Sequence, residues 1–280
     1  MILNSGVVGA GLMGAEIALT FALAGYEVWL NDREEQLTSA MARLRTILEK
    51  GVERSFYEDG VVESTLERIH CCASVNQLAD CHIVTEAVFE SLEVKKEVLQ
   101  ALDDLCNPDC VIATNTSTIP ICTLGALLRP DRRKRFIGTH YFSPVSRMKL
   151  VEIIPGIETS DQTISMASDL MASIGKTPIK VKDVAGFAVN RILHAFIIEA
   201  IRLVDEGVAT PEDLDTACRL GLGHPIGPFA LMDAVTSSLC VQAQQIMFDA
   251  YGERFRPPAL LKQRVNAGYV GGRGQPGWLR

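Results

Sequence analysis

The chain has 280 residues, of which 48% are hydrophobic and 22% charged, with a formal net charge of −7. That balance suits one large or two ordinary globular domains and excludes global disorder. It also argues against nucleic acid as a partner, because phosphate-backbone recognition wants a basic surface, and no apolar run reaches the ~18 residues of a membrane span. The first eight residues lack the basic start of a secretory leader, so a cytoplasmic protein with no membrane partner is expected.

In chain order, Val7-Val8 reads as a strand, Ala15 to Ala24 as an Ala-rich helix and Val28-Trp29-Leu30 as a second strand. Gln36 to Arg54 is amphipathic, Ile83-Val84-Thr85 is strand-like, and Leu92 to Leu105 is apolar at helical spacing. Val111-Ile112-Ala113 and Arg135-Phe136-Ile137-Gly138 read as further strands, and the basic run Asp131 to Arg135 as a surface loop. Alternating strands and helices predict a parallel sheet. From about Asn190 the strand signals fade. Ile192 to Glu206 is helical and stops at Gly207. Thr210-Pro211-Glu212-Asp213 reads as an N-cap, a proline at the first helical position and acids in the first turn. One further helix is expected from Phe229 to Tyr251, then a glycine-rich loop from Gly268. The expected fold is α/β: an N-terminal Rossmann-type parallel sheet over 1–185 and a C-terminal all-helical domain over 186–280. The Asp183-Val184-Ala185-Gly186 turn marks the boundary.

Eight cysteines are present, with none in a C-x-x-C pair. Cys106 and Cys110 are spaced C-x-x-x-C, and Asn107-Pro108 between them breaks any helix that would align the thiols. No histidine pair stands at ligand spacing beside them, so no metal site is expected. Reduced, mostly buried thiols fit a cytoplasmic chain.

Gly9-Ala10-Gly11-Leu12-Met13-Gly14 is G-x-G-x-x-G between a strand and an Ala-rich helix. In that context the first glycine permits a tight turn, the second lets a pyrophosphate approach the backbone, and the third lets the helix pack close to the strand. The pyrophosphate would sit on the helix N-terminus. Asp32, at the end of the second strand, can accept from a ribose hydroxyl and would repel a 2′-phosphate, so NAD is expected rather than NADP. Arg33 beside it softens that repulsion.

His140-Tyr141-Phe142-Ser143-Pro144, Lys149-Leu150-Val151-Glu152 and Gly186-Phe187-Ala188-Val189-Asn190-Arg191 follow in order. With the glycine fingerprint, these motifs make nearly the whole chain resemble the L-3-hydroxyacyl-CoA dehydrogenases, especially the short bacterial 3-hydroxybutyryl-CoA enzymes. The resemblance implies that His140 is the general base or acid, that Glu152 holds the imidazole, and that Ser117 and Asn190 contact the substrate. It implies that Glu90, Lys95, Ser117 and Ser143 lie by the cofactor, and that Lys50 and Arg54 meet the CoA moiety. A homodimer formed through the helical domain is expected on the same ground. Many single-function members carry Asn in place of Ser143, and Arg273 stands in for a family Lys.

The chemistry reads sensibly from the residues. Oxidising a secondary alcohol needs a proton acceptor at the hydroxyl and a hydride acceptor at the carbon. Imidazole, with an ordinary pKa of ~6.5, exchanges that proton near neutrality. A carboxylate on its other nitrogen fixes the tautomer, and hydroxyl and amide donors such as Ser117 and Asn190 polarise a carbonyl. Glu152 lies in an apolar run, and a buried carboxylate needs a partner. Two alternatives stay open. One is a dehydrogenase of the same fold acting on a hydroxy acid without CoA, such as a sugar acid or carnitine. The other is a non-catalytic NAD-binding or structural relative.

Overall fold

The computed structural model describes residues 4–279, and the chain divides between Asp183 and Val184 into two compact units. In the first, β1 (Asn4–Val8) runs into the glycine turn and α1 (Leu12–Leu23). Gly9 has φ +103°, and a Cβ there would lie 2.6 Å from the Ala87 carbonyl oxygen. α1 is buried continuously from Gly14 to Ala22, which accounts for its small, apolar composition. β2 (Glu27–Asn31) pairs parallel with β1. α2 (Glu34–Glu53) buries Leu37, Ala40, Leu44 and Leu48 at three- and four-residue spacing and carries acids in its first turn. α3 (Val61–Leu66) and β3 (Ile69–Cys72) follow. His70-Cys71-Cys72 carries no strand signature, and its partner β2 makes it one.

The second half of this unit contains β4 (Ile83–Glu86), α4 (Leu92–Leu105) and β5 (Val111–Thr114). The short helices α5 (Ile121–Gly125) and α6 (Pro130–Arg133) lead to β6 (Phe136–Tyr141). β7 (Leu150–Pro155) returns antiparallel, and α7 (Asp161–Ser173) connects it to β8 (Thr177–Lys180), parallel to β7. The sheet order is β3-β2-β1-β4-β5-β6-β7-β8. It is a Rossmann-type sheet with an edge of two reversed strands, which the alternation read from the sequence did not anticipate.

The basic stretch from Asp131 to Arg135 is not a solvated loop. Arg132 is buried, with its guanidinium on Asp103 Oδ1 (3.1 Å) and on the carbonyls of Cys106 (2.7 Å), Asn107 (2.8 Å) and Cys110 (3.0 Å). Burial pushes the Asp103 carboxyl up, and hydrogen bonds from Arg129 and Arg132 more than offset this, leaving it below its ordinary value. Removing one partner strands a buried charge, so Arg132→Leu is expected to lower the unfolding free energy by roughly 3–5 kcal/mol in urea denaturation. A loss under about 1 kcal/mol would show the clasp to be dispensable. α4 ends at Leu105, before Asn107-Pro108, and Cys106 and Cys110 are both buried thiols. All eight cysteines are free thiols.

The second unit holds α8 (Val189–Asp205), α9 (Pro211–Gly221), α10 (Pro228–Val235), α11 (Ser237–Tyr251) and α12 (Ala259–Asn266). Thr210 Oγ1 caps α9 by accepting from Asp213 N, with Pro211 first in the helix. Asp215 accepts from Phe229 N and Ala230 N and so caps α10. The single helix expected from Phe229 to Tyr251 is broken at Thr236, where φ is +91°. The tail explains the break. Ser237 N donates to the Val270 carbonyl, and Gly272 N to that of Asp233. The Asp233 carboxylate accepts from Trp278 N and Leu279 N. The glycine-rich tail is therefore irregular but anchored, with Trp278 buried against Phe229 (ring centroids 5.0 Å).

His194 is buried on α8, with Nδ1 unpartnered among the described residues, and burial pushes its imidazole down to about 4. The folded chain keeps this ring neutral, while an unfolded chain protonates it near pH 6.5. Stability contributed by His194 is therefore whole above pH 6.5 and declines as the pH falls toward 4, by about 3 kcal/mol in total. Equilibrium unfolding of wild type and His194→Phe across that range is expected to show a shallower acid slope in the variant. Parallel slopes would exclude the assignment.

Candidate active site

The N-terminus of α1 is a ready anion site. Gly11 is its N-cap, with no side-chain cap and no acid in the first turn, so the leading N–H groups and the dipole face outward uncompensated. A Cβ on Gly11 would meet nothing within 4 Å, whereas one on Gly14 would lie 1.9 Å from the Gly9 carbonyl oxygen. One glycine thus leaves room for a ligand and the other lets the chain pass itself. Leu12 is 59% exposed beside Gly11, and Met13 is half-buried. Asp32 Oδ2 accepts from Ala10 N (2.7 Å) and Oδ1 from Arg33 N (2.7 Å). The Arg43 guanidinium donates to the Ala10 carbonyl (2.9 Å), so the fingerprint is gripped from two sides. Open space over the second glycine, an uncapped helix end and a carboxylate at the end of β2 fit NAD.

The sheet builds the chemical centre. His140, near the end of β6, stands directly opposite Glu152 in the antiparallel register with β7. Glu152 is 0% and His140 3% exposed. His140 Nδ1 lies 2.8 Å from Glu152 Oε2, and Nε2 lies 2.9 Å from Ser117 Oγ. A carboxylate only accepts, so Nδ1 carries the hydrogen; Nε2 of the neutral ring then accepts from the Ser117 hydroxyl. The arrangement is a hydrogen-bonded chain with the unprotonated nitrogen turned toward Ser117. Asn115 Oδ1 accepts from Tyr141 N (2.9 Å), tying the loop after β5 to the end of β6.

Glu90 and Lys95 lie beside this centre. Glu90 Oε1 accepts from the backbone N–H of Ser117 and Thr118, and Lys95 Nζ stands 2.8 Å from Glu86 Oε1 and 3.3 Å from Glu90 Oε2. Burial alone would raise the Glu90 carboxyl. The Lys95 charge and the hydrogen bonds of Thr116 and Thr118 outweigh it and hold the group below its ordinary value. Ser143 is exposed in the loop after β6. Further along that loop, Ser146 N and Oγ donate to the buried carboxylate of Glu16 on α1 (2.9 Å each), and the carbonyls of Val145 and Met148 accept from Lys176 Nζ.

The structure therefore brings Ser117, His140 and Glu152 together, with Glu90 and Lys95 alongside. Lys50 and Arg54 are exposed one turn apart at the end of α2, beside Phe56, which is 70% exposed. Asn190 is half-buried in the first turn of α8, in the second unit. The sequence reading missed Glu86, Glu16, Lys176 and Arg43. Glu86 had a usable signal: an acid closing the Ile83-Val84-Thr85 strand, once buried, must find a partner.

A Rossmann sheet, a glycine-rich loop open above its second glycine and a carboxylate closing β2 define the class of dinucleotide-binding proteins. Residues 4–184 match the 3-hydroxyacyl-CoA dehydrogenase, NAD binding domain, and residues 186–280 the 3-hydroxyacyl-CoA dehydrogenase, C-terminal domain. The chain belongs to the 3-hydroxyacyl-CoA dehydrogenase family, and its first unit is the NAD-binding domain of that family. It is 35% identical to a probable 3-hydroxybutyryl-CoA dehydrogenase of Deinococcus radiodurans, covering 98% of this chain and 99% of the relative. It is 38% identical to the 3-hydroxybutyryl-CoA dehydrogenase of Bradyrhizobium diazoefficiens, covering 99% and 95%. The crystal structure of (S)-3-hydroxybutyryl-CoA dehydrogenase PaaH1 from Ralstonia eutropha superposes with a TM-score of 0.93 at 36% identity, covering 99% of this chain and 98% of that one.

Proposed function

We propose that the protein oxidises (S)-3-hydroxyacyl-CoA to 3-oxoacyl-CoA with NAD, His140 acting as general base and, in reverse, as general acid. The Ser117–His140–Glu152 chain carries this reading. When bound, NAD supplies the hydride acceptor. The residues supply the rest. The glycine loop of Gly9, Gly11 and Gly14, with Leu12 and Met13, receives the pyrophosphate. Asp32 receives the ribose and disfavours a 2′-phosphate. His140 Nε2 takes the hydroxyl proton while Glu152 steadies the imidazolium. Ser117 holds the substrate oxygen, Ser143 borders the cofactor, and Lys50 and Arg54 meet the CoA phosphates.

Purified protein is expected to oxidise NADH on addition of acetoacetyl-CoA, with little turnover of NADPH, and Lys50→Ala with Arg54→Ala to raise KM for the CoA substrate. No CoA-dependent turnover, together with oxidation of a free hydroxy acid that the two alanines leave unchanged, would sink the CoA reading. Full activity with NADPH alone would sink the role given to Asp32.

The protein is further read as a cytoplasmic homodimer. Eight unpaired thiols suit a reducing compartment. Val208, Leu220 and Leu222 of the second unit are each more than 60% exposed, apolar side chains that a second copy would cover. Light scattering returning the monomer mass at micromolar concentration would contradict this.

A further inference from the structure

We propose that Glu86 and Lys95 are positioning residues which act through Glu90 to hold the Ser117 turn against His140, an assignment that rests on the dehydrogenase reading. Glu90 Oε1 gathers four donors from three consecutive residues: Thr116 Oγ1 (2.7 Å), Ser117 N (2.9 Å), Thr118 N (2.7 Å) and Thr118 Oγ1 (2.8 Å). The segment from Asn115 to Pro120 has no helix or strand of its own. That single oxygen therefore organises its backbone and sets where Ser117 Oγ points.

Glu90 itself sits on the loop between β4 and α4, next to Phe89, which is 81% exposed. A carboxylate there would be free to swing, and Lys95 prevents it. The ammonium is sealed beneath the loop, its side chain 1% exposed, and bridges Glu90 Oε2 to both oxygens of Glu86. A group so enclosed acts through the carboxylates it touches, Glu90 among them. Glu86 is 0% exposed and fully occupied. Besides Lys95, Oε1 accepts from Val88 N (2.7 Å) and Oε2 from Thr114 Oγ1 (2.6 Å). Val88 belongs to the Glu90 loop and Thr114 ends the strand that leads to Ser117. Glu86 thus roots both loops at one point. The Lys95 charge and the hydrogen bonds from Thr116 and Thr118 keep Glu90 an ionised, multiple acceptor.

A double-mutant cycle on the full chain tests this. Glu90→Ala is expected to lower kcat about 100-fold, the cost of misplacing a catalytic group by roughly an ångström. Glu90→Gln, which keeps one acceptor oxygen, is expected to lose about tenfold. In a Ser117→Ala background Glu90→Gln costs less than about threefold, because the group it positions is gone. In the free protein, Glu90→Ala speeds amide exchange at Ser117 and Thr118 by at least about tenfold. Lys95→Met, checked for folding by circular dichroism, follows Glu90→Ala, and Lys95→Arg recovers part of the loss.

Additive losses in the cycle, unchanged exchange at Ser117, or a defect confined to NADH affinity would each overturn the proposal. A wild-type protein without dehydrogenase activity would instead remove the functional reading, and the exchange measurement would still decide whether Glu90 holds the turn.

Discussion

Replacing His140 with glutamine is expected to lower kcat for acetoacetyl-CoA-dependent NADH oxidation by about 10²–10⁴-fold, the usual worth of a positioned acid–base group. Glutamine fills much of the imidazole volume and can still exchange a hydrogen bond with Ser117. It cannot take or give a proton near neutral pH. The loss should therefore fall on kcat, leaving NADH affinity close to wild type, since the glycine loop and Asp32 lie apart from β6. Stability should change little, because the residues around His140 keep a side chain to pack against. A variant within threefold of wild-type kcat would remove His140 from the mechanism.

Glu152→Gln is expected to cost on the order of 100-fold or more in kcat, although it changes a single atom. Glu152 is completely buried and faces His140 across the β6–β7 pair. A carboxylate oriented at 2.8 Å holds the hydrogen on Nδ1 and leaves Nε2 basic. An amide can present its NH₂ to the ring instead, which moves the hydrogen to Nε2 and blocks it. It also removes the charge that stabilises the imidazolium once the proton has been taken. Glu152→Asp keeps the charge at a longer reach and should fall between the two. Near-isosteric burial predicts that Glu152→Gln unfolds at a urea concentration close to wild type, separating the catalytic loss from misfolding. Retention of more than a third of wild-type kcat would show that the imidazole is oriented by other groups.

The two variants also show where the candidate site was readable. Ser117, His140 and Glu152 were each selected from motifs, and the buried run Val151-Glu152-Ile153-Ile154 announced a carboxylate in need of a partner. What no spacing could establish was their geometry. His140 and Glu152 are twelve residues apart, a separation that fits a hairpin, a crossover or no contact at all. Only the antiparallel return of β7 sets them opposite one another. Lys95 was legible as a motif position but not as a sealed group, and Glu86 was passed over because it ends a short strand and belongs to no motif.

Elements that depend on local physics were read well from the chain. The strand–glycine–helix start, the amphipathic face of α2, the helix from Leu92 to Leu105 and the Thr210-Pro211 cap all follow from periodicity, capping and backbone freedom. Each is decided within a few residues. Long-range interactions decided the others. β3 exists because β2 offers it a partner, and Arg132 is buried because Asp103 and four carbonyls surround it. The helix expected to run unbroken to Tyr251 stops at Thr236 because the C-terminal tail takes hydrogen bonds from the broken turn. By itself the sequence determined the dinucleotide fingerprint, the two-part α/β and helical plan and the residue types of the site. The tertiary structure alone decided which buried charges are paired and which nitrogen of His140 is basic, because those depend on neighbours that the chain brings together only by folding.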